Sequence, residues 1–347
     1  MANVFILYYD YRHTSGNHAG MAHLARTLAA SDSRIKCIRH PDQQYKGGWI
    51  PAWFYSRFLA VYLRLVLKPG DQVVFFEYLS GDFGFQDTIV RLLRRWKVRH
   101  TFSGFVHLGG AQLLELYGSP DAIRRRLGWL DRVLVFGSSL YNFLQHTVGY
   151  SGEIVCTYHY ADTEYYRPSD SPREEDSGRL QVLFLGAIKR NLDQLAEIIS
   201  ETGDSVDFHV CTGRHRYPQL EDLAHVTSYG YLREAELLAL MQRCHVNLSV
   251  FYDTVGSNAI TGTLAVGLAQ VSSLVGSIED YGDPSNSIWC GDTAAFVEAL
   301  QTLASDRRRL QAMQISARQA AERMSLRNFI TVFNDIFLPA TDHGHEE

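Results

Sequence analysis

Leu248-Ser249-Val250-Phe251-Tyr252-Asp253-Thr254-Val255-Gly256-Ser257-Asn258-Ala259-Ile260-Thr261-Gly262-Thr263-Leu264-Ala265-Val266-Gly267 runs from an apolar strand through a glycine-containing turn into a helix of small and apolar residues. A buried strand followed at once by a helix is the repeating half-unit of a doubly wound α/β sheet. Ser257 and Asn258 are both natural caps for that helix. The unbonded N–H groups of its first turn, together with the positive end of its dipole, form a ready site for a diphosphate. Gly256 would let backbone approach the phosphates without a Cβ clash. An ordinary helix cap in a βα loop needs the same three residues, because Gly-Ser-Asn is too short to be specific.

The same rhythm extends outward from this stretch. Upstream, Val4–Tyr9, Gln72–Phe76, Phe102–Val106 and Arg132–Val135 read as buried parallel strands, with helical patterns at Ala19–Ala30, Trp53–Leu67, Gln86–Trp96 and Ala122–Leu127. Arg167–Gly178 is polar, charged and proline-bearing, and reads as a linker. A second series then starts with strands at Leu180–Leu185, Val206–Val210, Val246–Val250 and Gln270–Leu274. Its helices are Asn191–Ile199, Glu234–Gln242, Asn258–Val266, Ala294–Leu303 and Arg307–Met324. The expected organisation is a first Rossmann-like domain over 1–167, a linker over 168–178 and a second Rossmann-like domain over 179–324. Ligands of such sheets sit at the carboxyl ends of strands, so a cleft between the halves is where chemistry is expected.

With 347 residues, 46% hydrophobic, the chain is long enough for two such cores. A net charge of −5 argues against a nucleic-acid partner. Five scattered cysteines without a C-x-x-C pair suit reduced thiols rather than disulfides or zinc. The N-terminus lacks the basic region of a signal peptide, and no apolar run reaches spanning length, so the expected location is cytoplasmic. Trp49–Leu65 is aromatic, with Arg57 and Arg64 on one helical face. It reads first as a buried helix with one solvent stripe. The other reading is a basic, aromatic helix lying on lipid at the inner membrane face.

The succession of segments resembles the retaining glycosyltransferases of family 4. It consists of Asp253, Gly256-Ser257-Asn258 and Leu264–Ser273; Val226–Leu232 before Glu236-Leu237; Glu153–Pro168; and the final Ser325–Phe337. The resemblance implies the GT-B fold, two Rossmann-like domains facing across a cleft, with the last helix (325–340) returning to the first. It implies transfer of a sugar from a nucleoside diphosphate donor (UDP or GDP) to a glycan, lipid-linked or small-molecule acceptor, with retention of configuration and neither cofactor nor metal. A nucleotide-sugar epimerase of the same fold and a non-catalytic nucleotide-sugar or partner-binding module are the alternatives.

The resemblance also assigns residues. His107, at the end of a strand, would hold the donor sugar by hydrogen bonding. Asp253 would supply a carboxylate, and Lys189 and Arg190 would meet the diphosphate, with Arg214 behind them. Tyr231 and Leu232 lie in the unit against which the base packs. Gly16, Asn17 and His18 form the first-domain loop facing the diphosphate and acceptor. The family's two donor-site glutamates fall on Thr254 and Gly262 here, leaving Thr261 or Thr263 to replace the one that holds the ribose.

Overall fold

The protein is described by a computed structural model covering residues 2–11, 14–40, 48–81, 85–170, 178–215 and 217–339. Its elements run β1 (Val4–Tyr9), α1 (Met21–Ser31), β2 (Ile35–His40), α2 (Trp49–Val66), β3 (Gln72–Tyr78), α3 (Gln86–Arg95), β4 (Thr101–Val106), α4 (Gly110–Tyr117), α5 (Pro120–Leu127), β5 (Arg132–Val135), α6 (Ser138–Asn142) and β6 (Glu153–Cys156). They continue with β7 (Leu180–Leu185), α7 (Leu192–Thr202), β8 (Val206–Cys211), α8 (Pro218–Glu221), β9 (Val226–Tyr229), α9 (Glu234–Arg243), β10 (Val246–Ser249), α10 (Asn258–Ala265), β11 (Ala269–Ser273), β12 (Ser287–Cys290), α11 (Thr293–Ser305), α12 (Arg307–Arg323) and α13 (Leu326–Phe337).

Two compact units result: residues up to Thr157 with those from Leu326 on, and Tyr158–Ser325. Each holds one six-stranded, all-parallel sheet. The strand order is β2-β1-β3-β4-β5-β6 in the first and β12-β11-β10-β7-β8-β9 in the second. Counted from its own first strand, the second sheet has the order 3-2-1-4-5-6 of a dinucleotide-type Rossmann domain. Helices are started by side chains: Asn191, Ser257, Asp292 and Asp306 accept from the N–H three residues on.

The units divide about ten residues before 167. Tyr160–Tyr166 belongs to the second unit because its backbone is tied there. Thr261 Oγ1 donates to Tyr160 O (3.1 Å), and Arg318 donates to Thr163 O (3.0 Å) and Tyr166 O (2.8 Å). The Tyr166 hydroxyl donates to Glu234 (2.6 Å). Of the expected linker, 171–177 lies outside the described residues, as does 340 of the expected tail helix.

The reading of Trp49–Leu65 as a buried helix is corrected. Only Ala52, Ser56, Leu59, Ala60 and Leu63 of α2 are buried, and its aromatic face is open to solvent. No described helix is long and apolar enough to cross a membrane.

The last helix completes the first core. Phe333 is buried and meets Phe76 edge-on and Phe337 at 4.5 Å, while Phe329 packs on Phe105. Phe333→Ala should therefore cost about 3–5 kcal/mol, as large-to-small changes in closed cores do. Denaturant unfolding followed by circular dichroism measures this; a loss below 1 kcal/mol would show that α13 is dispensable to that core.

Candidate functional site

In the second sheet the strand order reverses between β7 and β10, so the loops that follow these two strands flank its switch point. The loop after β7 carries Lys189 and Arg190, and the segment after β10 carries Asp253, Gly256 and Ser257. Backbone bonds zip the two together: Tyr252 N–H to Lys189 O (3.0 Å) and Asn191 N–H to Val250 O (2.9 Å). Lys189 adopts φ +59°, a left-handed conformation that a non-glycine residue enters at a cost, and its carbonyl is thereby set for Tyr252.

Arg190 is the unusual group. Its Nε and Nη2 donate to Leu185 O (3.2 and 2.8 Å), Nη1 donates to Ile188 O (3.2 Å), and the guanidinium lies 3.9 Å over the Phe251 ring. Gly186, φ +93°, leaves room for it. These contacts use three of five donor N–H groups, and no carboxylate pairs with it among the described residues. Burial lowers its pKa to about 9. A cation partly withdrawn from water and left without an anion is a prepared anion site.

Ser257 caps α10, its hydroxyl accepting from Ile260 N–H. The N–H groups of Asn258 and Ala259 make no hydrogen bond among the described residues. They are the free donors expected at a helix start. Gly256, φ +91°, has a role the sequence does not show: a Cβ there would collide with the Tyr281 ring, so the absent side chain admits a buried tyrosine. Asp253 is half-buried against Gly276, and Ser277 N–H bonds Thr254 O (2.7 Å) beside it. Thr261 does not join this group. It is buried with its hydroxyl spent on Tyr160 O, and the Thr263 hydroxyl is spent on Ala259 O (2.7 Å). The Gly-Ser-Asn turn, Lys189, Arg190 and Asp253 are thus gathered at one edge, and both threonines face inward.

A concave pocket of about 230 Å³ opens at the carboxyl ends of β8 and β9 of the same unit, lined by Thr212, His215, Tyr217, Ser228, Tyr229 and Gly230. Arg214 and Tyr231 meet at its margin, the guanidinium 5.8 Å from the ring centroid, and Leu232 is half-buried next to them. Thr212, His215 and Tyr217 carry no motif, and only their position after a strand end points to them.

In the first unit the order reverses between β1 and β3. The loop after β1 holds Gly16, Asn17 and His18; Asn17 N–H bonds Thr14 O (3.1 Å), and the His18 ring lies 5.0 Å from that of His23. Arg12 and His13 of that loop lie outside the described residues. His107 follows β4, its Nε2 2.6 Å from Phe76 O and its ring against Phe136. A carbonyl only accepts, so Nε2 carries the proton. Burial lowers the pKa to about 4, and Nδ1 is therefore the acceptor nitrogen of a neutral ring. At the end of β3, the buried Glu77 Oε2 has no hydrogen-bond partner among the described residues, and desolvation raises the carboxyl pKa to about 8.

No family model and no curated protein matches the sequence. Solved structures match its fold along nearly all its length. Sucrose-phosphate synthase from Thermosynechococcus elongatus superposes with a TM-score of 0.75 at 13% identity, over 97% of this chain and 98% of that one. An α,α-trehalose-phosphate synthase (UDP-forming) from Burkholderia xenovorans, in complex with glucose-6-phosphate, gives 0.69 at 11%, over 97% and 100%. The pneumococcal O-GlcNAc transferase GtfA, in complex with UDP and GlcNAc, gives 0.62 at 15%, over 82% and 60%. With two Rossmann-like units in succession, the chain has the GT-B fold.

The desolvated groups of the first unit make its stability depend on pH in opposite senses. His40 and His107, both lowered by burial to about 4 from 6.5, stabilise the neutral fold above pH 6.5, and this is lost as pH falls toward 4. Glu77, raised to about 8, contributes stability present below pH 4.5 and lost as pH rises to 8. Stability should peak near pH 6.5. In Glu77→Gln the decline from 6.5 to 8, at most about 1.4 kcal/mol per pH unit, should vanish. Thermal unfolding across that interval decides; an undiminished decline in the variant would acquit Glu77.

Proposed function

We propose that the chain is a glycosyltransferase that moves a sugar from a nucleoside diphosphate donor to an acceptor with retention of configuration. The observation that carries this reading is Arg190, a half-buried cation without a carboxylate among the described residues, at the same switch point as the free N–H groups of α10. Both suit a diphosphate. The likeness to solved sugar transferases, one of them holding UDP, supports the donor class.

On this reading the bond between the sugar's anomeric carbon and the diphosphate breaks while the acceptor oxygen bonds to that carbon on the same face. The acceptor's proton passes to the leaving phosphate. Arg190, Lys189 and the α10 terminus stabilise the charge growing on that phosphate, which they do without a metal. Neutral His107 accepts a hydrogen bond from a sugar hydroxyl through Nδ1 and positions it. Asp253 holds a further sugar hydroxyl. The base rests in the pocket beside Tyr231 and Arg214. The ribose falls to that pocket's polar groups, since Thr261 and Thr263 are occupied.

A melting-temperature screen against UDP- and GDP-sugars should show a saturable rise with at least one donor. Arg190→Ala should weaken that donor about 10- to 100-fold, the cost of losing hydrogen bonds to a charged partner. His107→Ala should lower turnover about 100-fold with donor affinity kept. Binding without turnover by the wild type would sink the transferase reading in favour of a binding module. No shift with any donor would sink both.

A further inference from the structure

We propose that α2 is a docking face for an anionic lipid bilayer, on which it lies parallel to the surface. The inference stands on α2 and its surroundings and does not depend on the transferase reading.

The helix buries one narrow side and opens the other. Phe54, Phe58 and Leu65 are 64%, 62% and 78% exposed, and Trp49, Trp53 and Tyr62 are exposed with them. So many large apolar side chains exposed along one helix mark an interaction site. The helix has 18 residues and is about 27 Å long at 1.5 Å per residue. No described helix can cross a membrane, so a bilayer would meet α2 along its side.

Charge selects the occupant. Residues 48–68 and 85–100, which hold α2 and the adjoining α3, contain eight Lys and Arg against a single acid, Asp87, in a chain of net charge −5. Arg57 and Arg64 border the apolar face. Arg57 sits 3.4 Å over the Trp53 ring and donates to Trp53 O (2.8 Å), and Arg64 lies 5.5 Å from the Trp96 ring. Arg57, Arg64, Lys68 and Arg95 form no ion pair among the described residues. Aromatic rings with arginines along their edge suit the level where acyl chains meet headgroups. Unpaired cations there attract anionic headgroups. A second copy of the chain fits less well, because a two-fold contact would set the same cations against themselves.

The full chain should sediment with phosphatidylcholine vesicles containing phosphatidylglycerol, much less with phosphatidylcholine alone, and the binding should weaken as salt rises. Trp53→Ser/Phe54→Ser/Phe58→Ser alters only exposed side chains and should reduce vesicle binding at least tenfold while leaving the melting temperature and donor binding unchanged. Arg57→Glu/Arg64→Glu should remove the preference for the anionic vesicles. Brominated lipid should quench part of the wild-type tryptophan emission. Absence of wild-type binding to either vesicle would overturn the proposal. So would full binding by the triple variant, or a wild-type dimer that the triple variant converts to monomer with vesicles bound by neither.

Discussion

In an all-parallel sheet each strand is reached by a crossover that carries the chain back to the same end, which confines the functional loops to the carboxyl edge. Where the direction of winding reverses, two neighbouring strands send their connections to opposite faces and leave the groups between them uncovered. In the second unit those strands are β7 and β10, which pair along Val246–Leu248. The groups of the candidate diphosphate site descend from that reversal. The Arg190 loop leaves one strand, the Gly-Ser-Asn turn leaves the other, and the pairing of Arg190 with Phe251 joins them.

The electrostatics of the two carboxyl edges differ in kind. At the second unit's edge a guanidinium keeps its charge although burial opposes it, and backbone carbonyls and one aromatic face offset only part of the desolvation. A carboxylate beside Arg190 would have stabilised the empty protein more and an anionic ligand less. At the first unit's edge His107 and Glu77 are both driven toward neutrality. Neutral groups in a poorly solvated site exchange hydrogen bonds with hydroxyls without carrying a charge that an uncharged sugar could not balance.

The central strands were legible because strands covered on both faces must be apolar throughout, and Val4–Tyr9, Arg132–Val135 and Leu180–Leu185 match the structure end to end. Periodicity misses β2, β6, β9 and β12, which are the four sheet edges. An edge strand has a neighbour on one side only, and sequences such as Ile35-Lys36-Cys37-Ile38-Arg39-His40 alternate too weakly to announce themselves. Only β9 comes through, by way of the resemblance. Within the site, the Ser257 cap could be read from local chemistry because a cap acts within three residues. The partners of Gly256 and Thr261 could not. Tyr281 and Tyr160 stand 25 and 101 positions away, and no local rule reaches that far.

Helix α2 shows the same limit from the other side. Its apolar residues occupy almost every direction around the axis, and a helix of that kind ordinarily belongs in a core. Composition states how much surface seeks cover; tertiary contacts alone determine how much receives it. Here the fold covers the side of Ala52, Ser56, Leu59, Ala60 and Leu63, and these are small or aliphatic residues that permit close approach. The large aromatics are on the remaining side, the reverse of what a core-filling helix needs, since packing favours burial of the bulkiest side chains first. Arginine falls on the boundary between the two sides and acid on neither. An arrangement that keeps small residues for the protein and rings for the outside, bordered by cations alone, is ordered with respect to an environment beyond the chain.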